Sequence, residues 1–409
     1  MKLLEILRKT NPSYFRYRYK KLQAKYFRHR DRHLFTHACF NHPLINIPKR
    51  VIENEGPVDV FNDALMERVC RLYQSFSHTY ETAGDIWQEI EARRRPYTDA
   101  LLRDDYAEVR SFFLEILKGD LLEGMAHANG IVIDAGRNPY TADYFTLRLA
   151  DTLLSLAEAM GTYPVHSFAQ MDLQRYIDHL NPNLEKLVAD IEQEIGFSLD
   201  MPQVGNPPIV RIGDHRLNPD PVQHAYTAHR IQQLLGNKAN PTILEIGGGY
   251  GMTALMSHRA GLRNYTIIDL PYVSSFQLGY LGAVIGSDKI QVYGEKGEGL
   301  RREQYDIALG PPVAISAIPD RSIDLVVNVD SIPEMPVDVG ADYLKEIKRV
   351  CRGQFLSMNQ EARKQHINQV QTIVPELVKT VGGFKRTHRF RHWMEQGYVE
   401  EVYDLTSTD

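Results

Sequence analysis

One stretch of the chain concentrates residue types that ligand chemistry needs. Thr242-Ile243-Leu244-Glu245-Ile246 is a short apolar run carrying one acid, and Gly247-Gly248-Gly249-Tyr250-Gly251 follows, with a helical pattern opening at Met252. Four glycines in five residues let a backbone turn sharply and let a ligand lie against it without meeting a Cβ. Backbone N–H groups at the start of the next helix can then serve the ligand's polar atoms.

Two cofactor classes use such a bend. Gly249, Gly251 and Ala254 satisfy the Gly-x-Gly-x-x-Gly/Ala pattern of a dinucleotide site, so NAD(P) stands as one reading. Glu245, Gly247, Gly249 and Gly251 satisfy the acid-x-Gly-x-Gly-x-Gly pattern of a nucleoside sulfonium site, which points to S-adenosylmethionine. Glu245 favours the second, because a carboxylate suits a ligand with an ammonium group and is a costly neighbour for a pyrophosphate. A tight strand-to-helix turn without a ligand is the plain alternative. Asp269, in Ile267-Ile268-Asp269-Leu270-Pro271, closes the next apolar run. It can accept the ribose hydroxyls of either cofactor, or simply serve the turn before Pro271.

These residues need a scaffold. At roughly 100–200 residues per domain, 409 residues suggest two or three domains. Residues 1–200 read mostly helical: Phe112, Phe113, Ile116, Leu117 and Leu121 recur at helical spacing within Tyr106–Met125, as do Leu147, Leu149, Leu153, Leu154 and Leu156 within Tyr144–Met160. Met201–Gln223 is rich in proline and glycine and reads as a linker, with a helix opening at Asp220-Pro221 and ending at Gly236-Asn237. From Pro241 strands and helices alternate. The expected strands are Thr242–Ile246, Tyr265–Ile268, either Lys289–Tyr293 or Tyr305–Leu309, Ile323–Val329, Gln354–Met358, Gly383–Arg389 and Val399–Leu405, the last two pairing antiparallel at one edge. Alternating elements with continuous apolar strands predict an α/β, doubly wound, seven-stranded Rossmann-like sheet behind a mainly α-helical N-terminal domain. The expected division is a basic aromatic arm over 1–35, a helical domain over 36–200, a linker and entry helix over 201–240, and a cofactor-binding domain over 241–409.

Composition narrows the class. Apolar residues make up 43% and charged residues 24%, as in a globular protein. Cys39, Cys70 and Cys351 are too few and too scattered for a disulfide framework or a metal site, and no run of 18 apolar residues exists, so a cytoplasmic setting is expected. Residues 1–35 hold eleven Lys/Arg against Glu5 and Asp31, a net of +9, within a chain whose total is −5. Such an arm is drawn to an anionic membrane face or a lipid-linked substrate, or docks on the acidic body of its own chain or of a homodimer mate. The acidic remainder argues against a dedicated nucleic-acid protein.

The motifs ILEIGGGYG and IIDLPYV resemble those of class I S-adenosylmethionine-dependent methyltransferases. VGNPP (Val204–Pro208), the helix with His224, Ala225, Tyr226 and Ala228, SIDLVVNVDSIPEM (Ser322–Met335) and FLSMNQEAR (Phe355–Arg363) resemble a bacterial sugar O-methyltransferase family. The resemblance covers roughly residues 200–409. It implies methyl transfer to a sugar hydroxyl on a seven-stranded sheet with a helical partner domain over the site. Glu245, Gly247, Gly248, Gly249, Gly251, Asp269, Leu270, Asn328 and Tyr226 are the expected cofactor contacts. A non-sugar small-molecule acceptor, an NAD(P)-dependent oxidoreductase and an inactive scaffold of the same fold are the competing readings.

Methyl transfer needs positioning and a base for the acceptor hydroxyl. Ligands of open α/β sheets lie at the carboxyl ends of the strands, which directs attention to Asn328–Met335. Asp330 is the favoured base; the resemblance implies a histidine near this point, and none is present. Ser331-x-x-Glu334 also reads as a capping box, which would give Glu334 to a helix. Asp330 and Glu334, with Asn359 or Glu361, could alternatively hold Mg²⁺. His224, His229 and His392 are further base candidates, Tyr226 and Arg230 candidate pocket walls, and Trp393 a candidate platform for a sugar ring.

Overall fold

The computed structural model describes residues 36–37, 52–53, 55–80, 86–122, 124–126, 139–167, 169, 172–295, 299–300, 304–362 and 371–405. The expected basic arm over 1–35 lies outside them.

Strands β1 (Ile52–Glu53), β2 (Ile209–Ile212) and β3 (His215–Leu217) form a small antiparallel sheet. The main sheet contains β4 (Ile243–Ile246), β5 (Tyr265–Ile268), β6 (Ile290–Val292), β7 (Ile307–Gly310), β8 (Ile323–Val329), β9 (Cys351–Gln360), β10 (Phe384–Arg391) and β11 (Tyr398–Leu405), in the order β10-β11-β9-β8-β4-β5-β7-β6. From β6 to β9 neighbouring strands are parallel; β11 joins antiparallel to β9, and β10 antiparallel to β11. The architecture is thus the doubly wound α/β sheet expected, with eight strands in place of seven. Both stretches offered as alternatives are strands, because Ile307–Gly310 pairs with β5 and Ile290–Val292 pairs beyond it.

Twelve helices among the described residues frame these sheets. Seven precede residue 200: α1 (Asp63–Ser77), α2 (Ile86–Arg93), α3 (Arg95–Leu102), α4 (Tyr106–Leu114), α5 (Pro139–Met160), α6 (Leu173–His179) and α7 (Leu184–Ile195). Five belong to the rest: α8 (Pro219–Leu235), α9 (Met252–Arg259), α10 (Pro271–Leu281), α11 (Val337–Val350) and α12 (Val374–Val381). The helix expected across Tyr106–Met125 stops at Leu114. The Leu117 N–H donates to the Gly205 carbonyl at 2.9 Å, so a tertiary partner displaces the helical one. The stretch expected as a linker is largely buried, with Met201, Val204, Ile209 and Val210 in the core.

Side chains of successive sheet residues go to opposite faces, and both faces are covered. Ile243, Ile267 and Val327 join one apolar cluster, while Leu244, Ile268 and Val326 join the other beneath α11 and α12. The first cluster runs without a break from Phe61 in the N-terminal part to Val402 in the last strand. Within it α1 lies against α10, and rings of α3 and α4 reach the same helix. Tyr97 packs on Phe276 with ring centroids 4.9 Å apart, its hydroxyl is 2.9 Å from Ser275 Oγ, and Gly279 leaves the space that the Phe113 ring fills.

Candidate active site

The sheet reverses its winding at β4, whose neighbours are β5 on one side and β8 on the other. At the carboxyl ends of these three strands lies a cavity of about 360 Å³. Glu245, Gly247, Gly248, Gly249, Asp269, Leu270, Asp330 and Glu334 all line it. Gly251, Asn328, Tyr226 and His392 are not among its lining residues.

The glycine bend has more than one duty. Gly247, Gly249 and Gly251 all have positive φ, which only glycine adopts freely. A Cβ on Gly247 would collide with the Ser331 side chain, one on Gly248 would come within 2.7 Å of Ile267 Cγ2, and one on Gly251 within 2.8 Å of Leu281 Cδ1. Those three glycines make room for protein. Gly249 is different: the nearest atom to its Cβ position is Met125 Cβ at 3.8 Å, so the open side of the bend faces the cavity at this residue.

Asp269 fastens the bend. Its Oδ2 accepts the Gly248 N–H at 2.7 Å and the Gln277 side-chain amide at 2.8 Å, and its Oδ1 accepts the Leu270 N–H at 2.8 Å. The Gly249 N–H also lowers its pKa, so the bend itself occupies most of the roughly four lone-pair positions of this carboxylate. Burial pushes its pKa up to about 7, against the lowering pull of those hydrogen bonds. Gln277, which also donates to the Gly249 carbonyl at 2.8 Å, escaped sequence reasoning because nothing in a helix interior marks it. Glu245 is buried, accepts the Tyr265 hydroxyl at 3.0 Å, and is pushed up from 4.5 to about 8 by desolvation.

On the opposite wall, Asp330 has φ +51, a conformation rare outside glycine, and receives the Tyr398 hydroxyl on Oδ2 at 2.6 Å. The capping box does not form. Ser331 Oγ donates to the Ile246 carbonyl at 2.8 Å, only a short 3₁₀ turn spans Ile332–Glu334, and Glu334 is left lining the cavity. Asn328 is wholly buried and donates to the Ile246 carbonyl at 2.9 Å and to Ser331 Oγ at 2.5 Å. It joins β8 to β4 rather than facing a ligand.

The remaining candidates divide. His224 lines the cavity and shares a 2.9 Å hydrogen bond with Thr253. Tyr226 lies elsewhere: its hydroxyl donates to Glu400 Oε2 at 2.5 Å, with Arg230 Nε on Oε1 at 2.7 Å, so both expected pocket walls serve a buried carboxylate of β11. His229 pairs with Gln233, and His392 and Trp393 line a different cleft. The alternative of a Mg²⁺ ion gains no support. Glu361 is held by Arg389 at 2.7 Å, Asn359 donates to Asn328 and Ser357, and no group of three His, Cys, Asp or Glu suited to a metal occurs among the described residues.

Other walls were invisible in the sequence. Trp87 and Met125 come from the N-terminal helical part, and Val339, Asp342, Tyr343 and Glu346 from α11. Six carboxyls (Glu245, Asp269, Asp330, Glu334, Asp342 and Glu346) therefore line one cavity, with no Lys or Arg among the described lining residues.

No family model matches the sequence, and no curated protein matches it. Solved structures similar to part of the chain include a SAM dependent methyltransferase from Aquifex aeolicus, at 12% identity over 45% of this chain and 92% of that one, TM-score 0.31. Another is a Burkholderia thailandensis 1,6-didemethyltoxoflavin-N1-methyltransferase with bound S-adenosylhomocysteine, at 18% identity over 45% and 79%, TM-score 0.31. A geranyl diphosphate methyltransferase in complex with sinefungin matches at 11% identity over 44% and 76%, TM-score 0.33.

Proposed function

We propose that the chain is an S-adenosylmethionine-dependent O-methyltransferase acting on a hydroxyl of a sugar. The observation that carries this reading is the acidic cavity built around the glycine bend. A lining rich in carboxyls, with no Lys or Arg among the described residues, suits a cofactor with a sulfonium and an ammonium group and offers a diphosphate no cation, which disfavours NAD(P). The cofactor fits the residues present: Glu245 would face its ammonium, Gly249 leaves the backbone open to it, and Asp269 lines the same cavity at the end of β5. Leu270, Val273, Pro312 and Ile315 offer an apolar wall suited to a purine. When bound, the cofactor supplies an electrophilic methyl group. The chain's own task is then to orient an alcohol and take its proton.

Asp330 is the residue assigned to that proton. It lines the cavity across from the glycine bend, and the Tyr398 hydroxyl fixes one of its oxygens. That hydrogen bond fixes the carboxylate's position, as a base aimed at one hydroxyl requires. The sugar class rests on the motif resemblance over residues 200–409. Thermal unfolding with S-adenosylhomocysteine and with NADH tests the cofactor: a ligand at 100 times its Kd adds about 2.7 kcal/mol to native stability. Stabilisation by the nucleoside and none by NADH is expected, and the reverse overturns the reading. Methyl transfer from labelled cofactor to a panel of sugars, with catechols as controls, tests the acceptor.

A further inference from the structure

Helix α8 is registered on the glycine bend at two points one turn apart. The Tyr250 hydroxyl donates to Asp220 Oδ2 at 2.9 Å, and His224 Nδ1 lies 2.9 Å from Thr253 Oγ1. Residues four apart share a helix face, so the side of α8 that carries Asp220 also carries His224. The His224 ring is half-buried and lines the acidic cavity together with Thr253 and Glu245.

Thr253 has a second partner. It is buried, and its hydroxyl is hydrogen-bonded to the Glu245 carboxyl, which is buried too. Glu245, Thr253 and His224 therefore form one line from the end of β4 to the start of α8. A threonine hydroxyl has one hydrogen to give, and an ionised carboxylate only accepts. When Glu245 is ionised, the Thr253 hydrogen is committed to it. The contact with His224 then persists only if Nδ1 carries a hydrogen and donates it to Thr253. A neutral imidazole with its hydrogen on Nδ1 has none on Nε2, which becomes an acceptor.

Protonation of Glu245 lifts that constraint. The carboxyl can donate to Thr253, the Thr253 hydrogen can turn to Nδ1, and Nε2 then carries the ring hydrogen. Burial raises the Glu245 pKa to about 8 in the ligand-free protein, so the empty site favours this second arrangement at neutral pH. Passing from one arrangement to the other moves protons only. Glu245 releases one to solvent, Thr253 turns its hydroxyl, and His224 exchanges its single ring hydrogen between the two nitrogens.

We propose that cofactor binding sets the tautomer of His224, making Nε2 a hydrogen-bond acceptor only once the methyl donor is in place. The proposal deepens the methyltransferase reading and rests on it, through the ammonium group that Glu245 would face. An alcohol that enters second meets an acceptor nitrogen on a cavity wall that earlier carried a donor, while Asp330 keeps the task of taking its proton. Binding in the order cofactor, then alcohol, is the consequence.

Protein labelled with nitrogen-15 at histidine reads the tautomer by long-range nitrogen–proton correlation NMR. Spectra are taken at neutral pH with and without saturating S-adenosylhomocysteine, which has the same ammonium group. His224→Gln identifies the His224 signals among the 15 histidines. Neutron diffraction of the deuterated complex locates the same hydrogen should that variant fold poorly. The expected result is a hydrogen on Nδ1 and none on Nε2 in the complex, with both signals displaced toward the opposite tautomer when the ligand is absent. Thr253→Val is expected to abolish the response and Thr253→Ser to keep it, a pattern that a merely structural contact would not produce. Calorimetry on the same samples reads ligand binding separately. Binding with an unchanged tautomer, with hydrogens on both nitrogens, or with a response that survives Thr253→Val overturns the proposal and leaves the cofactor reading standing. Absence of binding overturns both.

Discussion

Tyr398 donates its hydroxyl hydrogen to Asp330 Oδ2 at 2.6 Å, across 68 residues of sequence and from the antiparallel edge of the sheet to its centre. The contact holds a carboxylate whose backbone already sits at φ +51. Asp330→Ala is expected to lower turnover by about 10²–10⁴-fold, the range of a lost general base, with S-adenosylhomocysteine affinity near wild type. Tyr398→Phe is expected to lower turnover by about ten- to a hundredfold, since a hydrogen bond to a charged group contributes about 1.5–3 kcal/mol. Steady-state kinetics beside calorimetric binding check both, and collapse of affinity in either variant would remove Asp330 from the role assigned to it.

The two buried acids set a pH dependence. Glu245 stands at about 8 and Asp269 at about 7, both raised by burial. Between the ordinary carboxylate range and these values the unfolded chain has lost its protons while the folded chain retains them. The ligand-free protein therefore loses stability as pH rises through that window. A ligand that sets an ammonium group against Glu245 favours the ionised acid, so its affinity should rise with pH, by at most about tenfold per unit for each proton released. Thermal shift at pH 6 and pH 8, with and without S-adenosylhomocysteine, should show a ligand increment that grows with pH. An increment that stays flat or shrinks refutes the electrostatic role of Glu245.

Gly247 and Gly249 separate structure from binding. Gly247→Ala drives a methyl group into Ser331 and holds a strained φ, so a stability loss of at least about 1–3 kcal/mol is expected. Gly249→Ala meets only an ordinary contact with Met125 at φ +53; its stability cost is smaller and its effect falls on cofactor affinity. Denaturant midpoints set beside binding constants for the pair provide the measurement.

Tyr226 and Arg230 provide the opposite control. Arg230→Met leaves Glu400 buried with its cation removed, which costs about 3–5 kcal/mol in comparable cases. Tyr226→Phe should cost about 1–3 kcal/mol by unpairing the same carboxylate. Neither is expected to alter S-adenosylhomocysteine affinity, as measured by calorimetry on the folded fraction.

What the sequence made legible was local. The acid and glycines of residues 245–251 can be read without coordinates because a sharp bend imposes residue types on a short window. The strands follow from apolar runs that need only their own neighbours. Pairing is another matter. Residues 289–293 and 305–309 are similar apolar runs, and only the β5 edge decides that the second lies inside the first. Ser331 and Glu334 have the spacing of a cap, yet the Ile246 carbonyl, 85 residues away, takes the serine hydroxyl. Trp87, Met125 and Tyr398 reach the cavities through packing between distant elements, which no periodicity encodes.

The unbroken apolar cluster from Phe61 to Val402 bears on how the chain is made. Helices α1 and α3 leave the ribosome well before α10, the element that covers them. At about 5–20 residues per second, the stretch from Leu101 to Pro271 takes roughly 10–30 seconds to synthesise. During that interval Tyr97, Phe113 and their neighbours have no α10 to lie against. A gene fragment ending near residue 200 would leave those apolar side chains uncovered and is expected to aggregate.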